Sequence, residues 1–167
     1  MLQMSLRACL VAGLLAFLPA SAMAKTYKIT PKNPVAEITI PDDWDTSTIE
    51  NGIESTSDDE EIYFAVEMTS WKNLEKNVEE WAEWLVSKKV EIDPKSQKTE
   101  AFEVNGLKGV ELHWKGKDED GPTEVSLAIF QITENRALLV TFWGSEDGQK
   151  ENADDLLKIM KSLKKLD

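Results

Sequence analysis

Residues 101–112 read AFEVNGLKGVEL, and the Asn105-Gly106 dipeptide at their centre decides how the second half of the chain folds. Both residues tolerate the positive φ of a type I′ turn, whose twist matches that of the strands it joins. A two-residue turn here sets Val104 opposite Leu107, and facing residue numbers then sum to 211 along the whole hairpin. That register puts Glu103 against Lys108 and Ala101 against Val110, both favourable. It also puts Glu100 against Glu111, which is not. Extended further, it places Val110, Leu112 and Trp114 on one face of the second strand and Glu111, His113 and Lys115 on the other, with Lys98 opposite His113.

Downstream, the acidic run Asp118-Glu119-Asp120-Gly121 reads as a solvated turn into strands over residues 123–133 and 136–143. The last of these is apolar on both faces through Ala137, Leu138, Leu139, Val140 and Phe142, which predicts a central strand covered on both sides. An amphipathic helix over 147–166 follows, with Ala153, Leu156, Leu157, Met160 and Leu163 as its expected buried stripe.

Upstream, Asp93-Pro94 bars helical continuation, because proline disfavours the α region for the residue before it. A helix is predicted over 71–89, with Ser70 or Asn73 as N-cap and Lys88 and Lys89 at the negative end of its dipole. Trp71, Leu74, Val78, Trp81 and Leu85 fall on one core-facing stripe, with Trp84 at its edge. Earlier still, short strands over 27–30 and 35–40 flank a Pro31–Pro34 turn. A second hairpin joins 53–56 to 62–68 through Ser57-Asp58-Asp59-Glu60. Strands, helix, four strands, helix define an α+β domain built on an antiparallel sheet with helical cover.

The first 24 residues have the form of a secretory signal peptide: Arg7, an apolar run from Ala8 to Leu18, then small residues predicting cleavage after Ala24. The apolar run is well short of the ~20 residues a spanning helix requires. Cys9 lies too early in that run to be a lipid-modified cysteine just past the cleavage site. The expected product is a periplasmic or secreted chain, residues 25–167, forming one domain without a membrane anchor. Cleavage removes Cys9, the only cysteine, so stability must come from packing and not from disulfides. Removing Arg7 from the 19 basic side chains leaves 18 against 31 acidic ones, a net charge of −13. Such a field repels phosphate backbones and anionic lipid surfaces, which argues against nucleic-acid and membrane-surface partners. Arg136 is the sole remaining arginine, so an arginine-based phosphate clamp is hard to build.

ITIPDDW (Ile38 to Trp44), the hairpin after it, the helix ending before VEID, the VNGLKGVEL hairpin and the final DLLKIMKSLKKL together resemble the PsbP/Mog-like family, including its small secreted bacterial members of unknown function. The resemblance covers essentially the whole chain after residue 24. It rests on a pattern of elements and a P-x-x-W corner, not on a catalytic signature. It implies an α/β/α sandwich with a central antiparallel sheet flanked by helices. Plant members of that family are accessory subunits of the photosynthetic oxygen-evolving complex, and fungal and animal members bind a small GTPase. Both roles are binding and assembly, so the resemblance supplies no catalytic residues to carry over, and fold alone does not fix function.

The chemical inventory agrees with a non-enzymatic reading. With Cys9 gone there is no thiol nucleophile, and a Ser-His-acid triad would have to use His113, the only histidine, without a G-x-S-x-G elbow. Zinc spacing is absent. Aligning Gly121 with the glycine of an EF-hand loop puts Gly116 and Leu127 at positions that need ligands, so that match fails. Glu100, Glu111 and His113 share a patch that could hold a divalent ion, against the simpler reading of a solvated polar sheet end; no metal or cofactor is expected. Trp44, Trp84, Trp114 and Trp143 lie off the helical stripe and are expected to pack in the core or at its rim. Trp84 is the candidate exception, able to line a ligand groove. The leading expectation is an accessory module acting through a protein partner. A carrier of a small apolar or sugar ligand comes second, and a carboxylate-based hydrolase third.

Overall fold

The computed structural model describes residues 23–30 and 32–166; most of the expected signal peptide lies outside the described residues. Two hairpins come first among the described residues: β1 (Ala24–Ile29) with β2 (Ala36–Pro41), then β3 (Asp45–Ile49) with β4 (Gly52–Thr56). After β5 (Ile62–Ser70) come α1 (Leu74–Ser87), β6 (Glu91–Ile92), β7 (Lys98–Val104), β8 (Leu107–Lys117), β9 (Pro122–Gln131) and β10 (Arg136–Ser145). The short helix α2 (Glu146–Glu151), then α3 (Ala153–Ser162) and β11 (Lys164–Lys165), complete the described chain. This is a mixed α+β fold with few helices and a large antiparallel sheet. The sheet runs β3-β4-β5-β10-β9-β8, with β7 and β6 both pairing along the free side of β8. A smaller sheet runs β1-β2-β11.

The central hairpin forms as its turn dictates. Asn105 and Gly106 have φ of 51° and 80°, and the ladder runs from Val104 opposite Leu107 to Lys98 opposite His113. Asn105 has a second role, because its Nδ2 donates to the carbonyls of Lys161 (2.6 Å) and Leu163 (2.8 Å). The turn thereby satisfies carbonyls left free at the C-terminal end of α3.

Strand β10 is central, and its two faces build separate cores. On one, Leu138 and Val140 join Phe64 and Val66 of β5 and Phe130 of β9, packed against Ile38 of the small sheet and Ile159 of α3. On the other, Leu139 joins Val125 and Leu127 of β9 beneath Trp81 and Leu85 of α1.

Several boundaries differ from the sequence expectation. Strand β3 was not anticipated: its DTSTI carries one apolar residue, as suits an edge strand with little core to face. A single 3₁₀ turn (Trp71–Asn73) precedes α1, and neither Ser70 nor Asn73 caps with its side chain. Trp71 is no part of the buried stripe. It is 37% exposed, its backbone N–H donates to Asn135 and its indole N–H to Thr133, so the segment is pinned to the β9–β10 turn outside the helical phase. The last helix breaks at Asn152, whose side chain donates to Asp59 Oδ2 at 2.8 Å, and ends at Ser162. Ala153 and Leu157 are exposed, and Ile159 is fully buried between partly buried Leu156 and Met160. The true stripe is Leu156, Ile159, Met160 and Leu163, spaced as one helical face, and it puts Leu157 about 100° to the side.

Asn105→Gly keeps the turn but removes both side-chain hydrogen bonds, for an expected loss of about 1–3 kcal/mol. Asn105→Ala adds the left-handed penalty of a Cβ, roughly 1 kcal/mol more. Urea denaturation at constant slope should rank them wild type, Gly, Ala; equal midpoints for wild type and Asn105→Gly would show that the tether is not stabilising.

Candidate functional site

The face of β5 that looks toward α1 reads Tyr63, Ala65, Glu67 and Thr69, alternating with the core residues Ile62, Phe64, Val66 and Met68. Helix α1 does not seal this polar side. A hollow of about 160 Å³ remains between them, lined among others by Asn51, Tyr63, Glu67, Asn77, Trp81 and Trp84. It shares Asn51, Met68, Thr69 and Asn77 with a hollow of about 360 Å³ bordered by Lys32 and Arg136. On its other side it shares Tyr63 and Trp84 with one of about 270 Å³ bordered by Asp45, Glu54 and Lys88. The three form a continuous groove along α1, basic at the Arg136 end and acidic through its middle.

Its wall is aromatic. Tyr63 stacks on Trp143 with centroids 4.3 Å apart and 16° between planes, and Trp84 tilts against both at 5.1 Å. Lys88 Nζ lies 5.8 Å from the Trp84 ring centroid, within cation–π range. Deeper, Trp81 lines the groove and lies against Trp114 at 5.7 Å, and its buried indole N–H has no hydrogen-bond partner among the described residues.

The carboxylates give the groove its charge. The Tyr63 hydroxyl donates to Glu54 Oε2 at 3.0 Å, and Ser47 donates to Glu54 Oε1 at 3.1 Å. Burial first, and then the Glu54 charge, push the Glu67 pKa above its ordinary 4.5. Tyr63 is likewise pushed up, chiefly by burial, then by its hydrogen bond to Glu54 and the charges of Glu54 and Glu67, so it remains a neutral phenol. Aromatic faces beside half-buried carboxylates suit a cation, which would relieve the repulsion between Glu54 and Glu67.

Trp84 is half-buried and lines this hollow. Trp44 and Trp114 are buried, at 5% and 7% exposure, and Trp143 is a second rim residue. Tyr63, Glu54 and Glu67 were missed as site residues. The available signal was the period of two along β5, which puts Tyr63 and Glu67 opposite the core face and hence under α1, the longest helix among the described residues. His113 lies on the other side of the sheet, facing Ser126 across the ladder. Its Nε2 is 3.5 Å from Glu124 Oε2, and no hydrogen bond among the described residues joins it to Ser126. Glu100 and Glu111 do face each other, but no group of three His, Cys, Asp or Glu among the described residues is placed to hold a metal ion. The acidic run is a turn closed by Asp118, whose carboxylate accepts from the backbone N–H of Asp120 and Gly121.

No family model and no curated protein matches the chain. Solved structures do. Cyanobacterial PsbP from Synechocystis sp. superposes with a TM-score of 0.58 at 10% identity, over 96% of this chain and 99% of that one. A protein from Bacteroides thetaiotaomicron gives 0.56 at 14% identity over 86% of this chain, which spans about half (48%) of that protein's length. LpqN of Mycobacterium tuberculosis, a protein involved in cell envelope biogenesis, gives 0.52 at 12% identity over 86% and 92%. The chain therefore has a PsbP-like fold, and the resemblance read from the sequence holds at that level. No helix among the described residues is long and apolar enough to cross a membrane.

The raised Glu67 pKa sets a pH dependence of stability. The folded state binds the proton more tightly than the unfolded one, so stability falls as pH rises from about 4.5 through the folded-state value. Glu67→Gln is expected to raise the urea midpoint at pH 7 and to flatten this slope, with the two proteins converging below pH 4.5. A carboxyl resonance of Glu67 titrating at or below 4.5 in NMR would remove the effect.

Proposed function

We propose that this protein is a secreted or periplasmic accessory module that binds a basic segment of a protein partner in the groove along α1, without catalysing a reaction. The observation that carries the reading is the half-exposed Tyr63–Trp84–Trp143 cluster flanked by Glu54 and Glu67, a surface that offers ring faces and uncompensated negative charge together. Aromatic side chains at the centre of a concave patch are the usual anchors of protein interfaces. The net charge of −12 favours a basic partner through steering as well as contact. Cyanobacterial PsbP and LpqN supply a compatible context, a shared fold and, for LpqN, a role in the envelope. The α/β/α layering of the PsbP/Mog-like fold belongs to the same reading, with α1 as one layer and α3, supported by the small sheet, as the other. The predicted leader with cleavage after Ala24 would deliver the chain to that compartment.

A photo-crosslinking residue placed at Lys88, beside Trp84, should yield a specific protein adduct in the native envelope, and the same residue at Lys158 on α3 should not. With the captured partner in hand, Trp84→Ala should weaken binding roughly thirty-fold, the effect of a ~2 kcal/mol anchor. Identical adduct patterns from both positions, or unchanged affinity of Trp84→Ala, would refute the groove as the interface.

A further inference from the structure

A second hollow, of about 310 Å³, lies on the opposite face of the sheet, between α3 and the strands. Phe64, Phe102 and Phe142 form its strand side, and Leu156 and Met160 its helix side. It exists because the floor is made of small residues. Ala128 and Ser126 stand where the neighbouring position on β9, Phe130, fills the same layer with a ring. Its size is at the lower end of the range for small-molecule sites, and unlike the α1 groove it is predominantly apolar.

One charged side chain lines it: Glu111. In the β7–β8 ladder Glu111 faces Glu100 directly, and among the described residues neither takes part in an ion pair. Like charges facing across a ladder are unfavourable. A cation seated at Glu111 would relieve the repulsion, while the apolar body behind it would fill the hollow. An anion at the same place would add a third like charge.

We infer that this hollow is a binding site for a small amphipathic amine, its apolar body packed between α3 and the sheet and its protonated nitrogen on the Glu111 carboxylate, with Ser126 the remaining polar group in the lining. The site does not rest on the partner groove, which lies across the sheet and involves none of these side chains.

Octylammonium, octanol and octanoate separate the contributions, being one tail with three heads. Calorimetric titration at pH 7 should give binding of octylammonium at least about tenfold tighter than of octanoate, with octanol between them. The methyl resonances of Met160, Leu156 and Ala128 should shift on binding. Glu111→Gln, at a partly exposed position, should bring octylammonium down to the affinity of octanol. Glu103→Gln, one strand away on the opposite face, controls for bulk charge and should leave binding unchanged, as should Trp84→Ala. Equal binding of octanoate and octylammonium, wild-type affinity in Glu111→Gln, or unmoved cavity methyls would each overturn the assignment. Loss of partner crosslinking at Lys88 would leave it standing.

Discussion

Strand β10 is apolar on both faces, and that constraint organises the molecule. Leu138 and Val140 on one side and Ala137 and Leu139 on the other are all buried, so the sheet needs cover twice. The cover available is small. A helix about 10 Å across spans roughly two strands spaced about 4.8 Å apart, and a 14-residue helix such as α1 is about 21 Å long. The eight-stranded sheet is wider than that on either face. What lies beyond the helix is handled by large side chains on one face, Tyr63, Trp84 and Trp143, and on the other by the β1-β2-β11 sheet together with α3. The hollows lie under this cover, one between β5 and α1 and the other between α3 and the small residues Ser126 and Ala128.

The elements set by local chemistry were legible in the sequence. Asn105-Gly106 fixed a register that held for seven successive pairs, and the two-sided hydrophobicity of residues 137–142 identified the central strand. What failed depended on partners distant in sequence. Trp71 has a helical-stripe position on paper, but the backbone of Asn135 and the carbonyl of Thr133 hold it in a 3₁₀ turn. The break at Asn152 is likewise a tertiary event, because its side chain reaches Asp59, ninety-three residues earlier. Leu156, Met160 and Leu163 keep the expected stripe after it, and Ile159, which shares their helical face, is buried where Leu157 was expected. Trp84 could be placed at an edge by its helical angle alone. Its companions Tyr63 and Trp143 come from β5 and β10, and only the pairing of those strands, with Tyr63 opposite Trp143, brings them together.

The two faces of β5 divide the labour of stability and recognition. Toward the small sheet it presents Ile62, Phe64 and Val66, each at most 1% exposed, and toward α1 it presents Tyr63, Ala65, Glu67 and Thr69. The first set supplies the burial that any fold of this size requires. The second set would be a poor choice if stability were its purpose, since an ionised Glu67 is held near Glu54 and partly removed from water. Thr69 is satisfied through Asn77 at 2.9 Å, and Tyr63 through Glu54, so the polar groups here are arranged and not merely tolerated.

Trp81 sharpens that contrast. Its ring is well packed, yet its indole N–H has no partner among the described residues, which for a buried donor costs about 1–3 kcal/mol. A leucine at 81 would keep much of the apolar contact with Trp114 and Leu127 without an orphan donor. Thr123 Oγ1, away from the groove, is the other buried polar atom without a partner among the described residues; what distinguishes Trp81 is that it lines the same hollow as the repelled carboxylate Glu67. On the opposite face Glu100 and Glu111 face each other, and there too the unfavourable pair adjoins a hollow. The sheet thus works as a partition: its hydrophobic centre satisfies β10, and a hollow lies against it on each side, one under α1 beside Trp81 and Glu67, the other under α3 beside Glu111.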